Sequence, residues 1–283
     1  MSLVRTFALS YAASIICLTA AAAQPAAAPA QSAPAATVYE PKSGQAGKDV
    51  VWVPTQQALV DRMLDMAGLT AQDYHIDLGS GDGRTVITAA KRGARSLGIE
   101  YNADLVALSQ RAAEREGVSD KAKFVKADIF ESDFSDATVL TLFLLPELNM
   151  RLRPTILNMK PGTRIVSNSF TMEDWTPDQT IDAGGSCVNF CRAHSWIVPA
   201  KVEGVWRLRD GDLTLKQSFQ MLSGSLTVGG KALPITDARM TGAEIGFTAG
   251  DRRYTGRVDG ARIEGRSAAR GSEQPWSATR VGS

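Results

Sequence analysis

The sequence predicts an α/β fold, in which a Rossmann-like sheet carries helices on both faces and is followed by a small antiparallel all-β domain. From residue 48 to residue 203, helical periodicity alternates with short apolar runs, which is typical of a parallel sheet covered by helices. A glycine-rich turn joins one of these runs, Tyr74–Leu78, to a helix. Residues 204–283 contain short alternating runs separated by glycine-containing turns, which predict a sandwich or partial barrel.

The composition excludes several classes of function. The chain has 283 residues with 31 Lys and Arg against 30 Asp and Glu, so its formal net charge is +1. Such a balance gives no strongly basic face, and we expect no nucleic-acid partner. The chain contains 2 histidines, His75 and His194, which leaves little room for a His-rich metal centre, and we expect no metal.

The first 23 residues have the features of a secretory signal peptide. A single cation, Arg5, precedes an uncharged stretch over residues 7–23 that closes on Ala21, Ala22 and Ala23. We expect cleavage after Ala23 and a periplasmic or secreted protein. The alternative is an uncleaved membrane anchor, which would be the chain's one contact with a membrane. Residues 24–47, rich in Ala and Pro at their start, are predicted to form a linker.

Removal of the leader would take Cys17 with it and leave Cys187 and Cys191. An exported protein can keep such a pair as a disulfide, and the sequence also allows two free thiols. A metal site formed with His194 is a third alternative, although a fourth ligand is not apparent.

Polar and glycine residues follow three successive predicted strands. The turn Gly79–Arg84 stands between the first strand and a helix, where a ligand can approach bare backbone amides. Arg84 occupies the place where a dinucleotide-binding motif needs a small residue, which disfavours that function. Glu100 ends the second strand and can accept hydrogen bonds from two ribose hydroxyls. Asp128 and Ile129 follow the third strand and suit the amino group and face of a purine.

A fourth strand is predicted over residues 139–145, because this stretch is apolar throughout, as in a central parallel strand. It leads into the loop Leu145–Asn149, in which Glu147 and Asn149 are candidates for positioning a substrate. The alternative for Asn149 is a structural role as the cap of a helix over residues 150–159.

Taken together, these motifs resemble those of class I S-adenosylmethionine-dependent methyltransferases. More narrowly, the residues around Val53–Thr55, Ala137–Asn149, Lys160–Ser167 and Trp175–Asp178 are similar to the small protein-lysine methyltransferases that modify the mitochondrial adenine nucleotide translocase and the ATP-synthase c subunit. The resemblance covers about residues 50–206.

The resemblance implies S-adenosyl-L-methionine as the cofactor and N-methylation of a protein amine, such as a lysine side chain. We expect the protein to be a monomer. It places Glu147 and Asn149 at the reacting amine as catalytic residues. The implied cofactor-binding residues are Pro54, Thr55, Asp77, Gly79, Ser80, Gly81, Asp82, Gly83, Glu100, Asp128, Ile129 and Leu145.

The predicted leader conflicts with this activity, because S-adenosylmethionine is made in the cytoplasm. Three resolutions stay open: an anchor with unusual orientation, a supply of cofactor outside the cytoplasm, or a fold kept for binding without turnover. The last corresponds to a non-catalytic extracytoplasmic binding protein that retains the nucleoside pocket.

Overall fold

The computed structural model describes residue 8, residues 39–185 and residues 187–282. The predicted signal peptide, apart from Ala8, and residues 24–38 of the predicted linker lie outside the described residues. Within the described part of the chain, no helix is both long enough and apolar enough to cross a membrane.

A seven-stranded sheet confirms the predicted α/β fold. Its strands are β1 (Tyr74–Leu78), β2 (Arg95–Glu100), β3 (Ala122–Lys126), β4 (Val139–Leu142), β5 (Arg164–Asn168), β6 (Gln179–Asp182) and β7 (Arg192–Ile197). They lie in the order β3-β2-β1-β4-β5-β7-β6. Strand β7 is antiparallel to its two neighbours, and the other pairs are parallel. The order of the strands reverses between β1 and β4, which opens a crevice at their carboxyl ends.

In the part of the chain that the structure describes, four helices accompany the sheet: α1 (Gln57–Met66), α2 (Arg84–Lys91), α3 (Ala103–Arg115) and α4 (Pro146–Ile156). Helix α3 is capped by Asn102, whose side chain accepts the backbone N–H of Asp104 at 2.8 Å. Helix α4 begins at Pro146, because proline has no N–H to lose and its fixed φ suits the first helical position. The predicted start of this helix at residue 150 is therefore wrong by one turn.

The strands bury both faces of the sheet. Because side chains alternate along a strand, Leu140 of β4 packs in a cluster with Leu152 of α4, whereas its neighbour Val139 packs with Leu59 of α1 on the opposite face. This explains why the sequence of β4 is apolar throughout.

The C-terminal residues form a closed antiparallel barrel. Its strands are β8 (Gly204–Leu208), β9 (Gly211–Ser218), β10 (Met221–Val228), β11 (Lys231–Thr241), β12 (Glu244–Ala249), β13 (Arg252–Asp259), β14 (Arg262–Ala269) and β15 (Ser272–Arg280). Pairing of β15 with β8 closes the barrel, with Arg280 opposite Trp206. The buried side chains of Trp206, Leu213 and Phe247 belong to its core.

The barrel is fixed to the sheet domain by buried hydrogen bonds. The Trp175 Nε1–H donates to Gln220 Oε1 at 3.0 Å, and Gln220 Nε2 donates to the carbonyl oxygen of Thr176 at 2.8 Å. Arg239 on β11 also pairs with Asp178 at 2.7 Å. Both Trp175 and Gln220 are buried, so loss of this contact would leave polar groups without partners.

Cys187 and Cys191 form a disulfide in the loop between β6 and β7. The structure thus selects one of the three alternatives for these cysteines. Sulfur atoms joined in a disulfide are neither free thiols nor thiolate ligands, so the proposed metal site with His194 is excluded. His194 instead hydrogen-bonds through Nδ1 to Thr180 Oγ1 at 2.9 Å.

Candidate functional site

A cavity of about 190 Å³ lies at the carboxyl ends of the parallel strands. It is lined by every residue predicted to bind the cofactor except Gly83. The lining also includes residues that we did not predict, among them Lys48, Trp52 and three phenylalanines, Phe143, Phe170 and Phe190. Residues 204–282 contribute nothing to this lining, so the barrel lies outside the cavity wall.

The glycine-rich turn forms the floor of one half of the cavity. Gly81 has a φ of +54° and lies against the indole of Trp52, where an added Cβ would come within 2.5 Å of Nε1. Gly83 has a φ of +79° and is the N-cap of α2. A Cβ at Gly83 would lie 2.7 Å from the Phe124 ring, so this glycine serves close packing behind the turn, which is why it does not line the cavity.

Glu100 supports the turn and still has acceptor capacity. Its Oε2 accepts the backbone N–H of Gly81 at 2.9 Å, and its Oε1 accepts that of Asn102 at 2.9 Å. A carboxylate has about four lone-pair positions, so two hydroxyl groups can still donate to it. The geometry therefore suits the ribose contact predicted for Glu100.

Asp128 forms an ion pair with Lys48, and Lys48 also lies 4.9 Å from the centre of the Tyr101 ring. The hydrogen bond from Lys48 and another from the Phe130 N–H, at 2.9 Å, hold the pKa of Asp128 below its ordinary value. Asp128 stays ionised and retains lone pairs for an amino group. Lys48 was not predicted, because the ion pair joins positions 80 residues apart in the sequence.

The N-terminal segment before α1, which contains Pro54 and Thr55, lies against the turn. Arg84 donates through Nη1 to the carbonyl oxygen of Thr55 at 2.8 Å and pairs with Asp82 at 2.5 Å. Asn168 at the end of β5 donates through Nδ2 to Thr55 Oγ1 at 3.1 Å. Arg84, which stands where a dinucleotide-binding motif needs a small residue, thus has a structural role in this turn.

Asp77 belongs to a buried chain of hydrogen bonds. Thr141 Oγ1 donates to Asp77 Oδ1 at 2.6 Å, so it accepts from the Nε2 of His75, 2.8 Å away. The His75 Nδ1 then accepts from Ser96 Oγ at 2.6 Å. Burial raises the pKa of Asp77 to about 7 and lowers the pKa of His75 to about 3. His75 is thus a neutral core residue, and Asp77 is the titratable end of the chain at the cavity.

The two residues predicted to act on the substrate do not line the cavity. Glu147 is exposed in the first turn of α4. Asn149 is fully buried and donates through Nδ2 to the carbonyl oxygens of Phe170, at 3.4 Å, and Thr171, at 3.2 Å. Because α4 begins at Pro146, Asn149 lies inside the helix and fastens the loop after β5. The alternative prediction that Asn149 caps the helix is wrong, since the N-cap is Leu145.

The half of the cavity formed by the glycine-rich turn, Glu100 and Asp128 fits S-adenosyl-L-methionine. Among the described residues, the buried Ser80 Oγ has no hydrogen-bond partner, and Gly79 and Gly81 bring bare backbone to the cavity wall. Asp77, Glu100 and Asp128 offer acceptors for the amino and hydroxyl groups of such a cofactor. Ile129 and Leu145 supply apolar surface.

The opposite pKa shifts of Asp77 and His75 predict a pH effect. Between about pH 4 and 7 the folded state keeps Asp77 protonated, whereas the unfolded state does not. The free energy of unfolding therefore falls as pH rises through that range. His75, kept neutral by folding, has the opposite effect between about pH 3 and 6.5, so the two slopes cancel where they overlap. In Asp77→Asn the His75 slope is uncovered.

We expect Asp77→Asn to lose stability relative to the wild type by about 1.4 kcal/mol per pH unit on acidification from pH 6.5 to 4.5. Urea unfolding at intermediate pH values measures this, with Asp120→Asn, an exposed carboxyl, as the matched control. Parallel pH profiles for Asp77→Asn and the wild type would show that the pKa of Asp77 is not raised.

Comparison with known proteins agrees with this geometry. A model of the ANTKMT methyltransferase domain matches residues 77–179. The chain is 42% identical over 135 residues to a protein-lysine N-methyltransferase of Saccharolobus islandicus, covering 47% of this chain and 84% of the relative. It is 37% identical over 110 residues to the lysine N-methyltransferase of the ATP-synthase c subunit from Rattus norvegicus, covering 38% of this chain and 51% of that relative.

A solved structure, described as an RNA methyltransferase from Salinibacter ruber in complex with S-adenosyl-L-homocysteine, superposes with a TM-score of 0.50 and 43% sequence identity. That match covers 53% of this chain and 96% of the other. The chain thus spans most of two relatives and about half of the Rattus norvegicus protein, and the barrel lies beyond the residues of the family model. The chain belongs to the ANTKMT methyltransferase family and is a class I S-adenosylmethionine-dependent methyltransferase.

Proposed function

We propose that this methyltransferase transfers the methyl group of S-adenosyl-L-methionine to the side-chain amine of a lysine in a protein. The observation that carries the proposal is the charge of the cavity. Its lining contains five carboxyl side chains and two cationic ones, Lys48 and Arg84, each of which is paired with one of those carboxylates. Such a lining attracts a cationic acceptor and repels a phosphate backbone.

The sequence comparisons support the same acceptor. The relatives from Saccharolobus islandicus and Rattus norvegicus are both named lysine N-methyltransferases. The noncatalytic alternative has no comparable support, because the cavity retains the glycine turn and the carboxylates Glu100 and Asp128.

The two halves of the cavity have different tasks. When bound, S-adenosyl-L-methionine supplies a methyl group carried on a cationic sulfur. The amine first loses a proton to solvent; its lone pair then forms the N–C bond as the S–C bond breaks, and the electron pair of that bond stays on sulfur. Glu100, Asp128 and the glycine turn would hold the cofactor on the side of β1, β2 and β3. The apolar residues Phe143, Leu144 and Leu148 after β4 exclude water on the other side.

The similarity to a structure described as an RNA methyltransferase makes RNA the competing acceptor. Incubating the purified protein and a cell extract with S-adenosylmethionine labelled in the methyl carbon separates the two. We expect label that is sensitive to protease, resistant to ribonuclease and recovered as methyllysine after acid hydrolysis. Label removed by ribonuclease, or protein label on other residues, would contradict lysine methylation.

Removal of the Glu100 carboxylate should weaken cofactor binding. We expect Glu100→Ala to bind S-adenosylhomocysteine about 1 to 3 kcal/mol more weakly, because charge-assisted hydrogen bonds to the ribose and to the Gly81 N–H are lost. Calorimetry measures the change, and Glu114→Ala on the exposed side of α3 is the control. Equal affinity of the two variants would rule out the ribose contact.

We also propose that the protein is exported. The charge-free residues 7–23 behind Arg5 support this, as does the disulfide between Cys187 and Cys191, because such bonds persist mainly in oxidising compartments. Mass spectrometry of the protein from its native cells should show a mature chain beginning at Gln24. A chain that begins at Met1 in the membrane fraction would support the anchor instead.

A further inference from the structure

Three phenylalanine rings form one wall of the cavity. The centroids of Phe143 and Phe190 are 5.3 Å apart, those of Phe170 and Phe190 are 6.1 Å apart, and those of Phe143 and Phe170 are 6.2 Å apart. All three line the same cavity as the glycine turn. We call Phe143, Phe170 and Phe190 the aromatic wall.

The aromatic wall lies across the crevice from the residues that suit the nucleoside. Phe143 follows β4 directly, Phe170 follows β5, and Phe190 belongs to the loop between β6 and β7. Glu100, in contrast, ends β2 and Asp128 follows β3, on the other side of β1 in the strand order. The reversal between β1 and β4 therefore separates the aromatic wall from these carboxylates.

Phe190 is held in an unusual backbone conformation. Its φ is +55°, in the left-handed region that bulky residues avoid, and it directly precedes the disulfide-bonded Cys191. The residue keeps 44% of its surface exposed although its ring contacts two other rings. Residues held in such sparsely populated backbone conformations cluster at active sites and ligand clamps, which is the reason to consider a ligand for Phe190.

The chemistry of the wall suits an amine that becomes a cation. The side chains on this side of the cavity contain no hydrogen-bonding atom: they are those of Phe143, Leu144, Leu148, Phe170 and Phe190. The lone pair of the amine nitrogen therefore stays free to attack the methyl group. Aromatic faces attract alkylammonium groups, and the carboxylates across the cavity add a favourable field.

We propose that the aromatic wall is the subsite for the acceptor side chain, which it holds as an alkylamine or alkylammonium through the ring faces of Phe143, Phe170 and Phe190. This assignment rests on the proposed lysine acceptor and adds the residues that recognise it. Phe190, on the disulfide-closed loop, is the member that the acceptor meets at the exposed edge of the cavity.

The test measures binding without turnover, so it is independent of whether lysine methylation is detected. The full-length protein is saturated with S-adenosylhomocysteine, which blocks the cofactor half, and is titrated with choline or with its uncharged isostere 3,3-dimethyl-1-butanol. We expect choline to bind about threefold to thirtyfold more tightly than the isostere, because the two differ in charge and hardly in shape.

Phe190→Leu should remove most of the preference for choline, whereas Phe190→Tyr, which keeps an aromatic face, should retain it. Because Phe190 is exposed, neither change threatens folding, and unchanged affinity for S-adenosylhomocysteine confirms that the cofactor half is intact. Phe143→Leu provides a second, independent removal of a ring. Equal affinity for choline and the isostere in the wild type, or an unaltered preference in both leucine variants, would overturn the proposal.

If choline is preferred through the aromatic wall but the labelling experiment shows no methyllysine, the proposed lysine acceptor fails and the subsite stands. If methyllysine forms but choline is not preferred, the lysine acceptor stands and the aromatic wall is not its subsite. The two failures are therefore distinguishable.

Discussion

The cavity depends on the close approach of bare backbone at the turn between β1 and α2. Gly83 has no room for a side chain because the Phe124 ring and Ser109 lie behind it, and Gly81 has none because Trp52 lies in front. The turn is thus held between the core and the N-terminal segment. Glu100 completes the arrangement by accepting the Gly81 N–H, so a carboxylate that suits the ribose also stabilises the turn.

The residues whose positions are encoded locally were predicted to lie together, and most of them line one cavity. The glycine turn follows β1, Glu100 ends β2, and Asp128 lies two residues after β3, and parallel strands bring their carboxyl ends to one edge. Lys48 and Phe190 were missed because they reach the cavity from segments distant in sequence, and a lysine or phenylalanine alone predicts no such position. Trp52 was missed although it lies close to the predicted Pro54 and Thr55, because a tryptophan there does not by itself indicate contact with Gly81. Glu147 and Asn149 lie outside the cavity lining because α4 already begins at Pro146, and a proline expected to end a strand does not indicate that start.

The barrel, too, could be predicted only in part from the sequence. Its hairpins were predicted from their turns, but β11 contains Pro234 and β15 contains Pro275, which weaken a strand pattern. Closure depends on the pairing of β15 with β8, between the two ends of the domain. Its attachment through Gln220 and Trp175 could not be predicted, since a buried glutamine is recognised only when its partners are known.

One cavity with a carboxylate-lined half for the cofactor and an aromatic half for the acceptor is the central claim. A crystal structure with bound S-adenosylhomocysteine tests it most directly. We expect the adenine amino group at Asp128, the ribose at Glu100 and the sulfur directed toward Phe143, Phe170 and Phe190. Adenine against the phenylalanine rings, or a sulfur directed away from them, would contradict it.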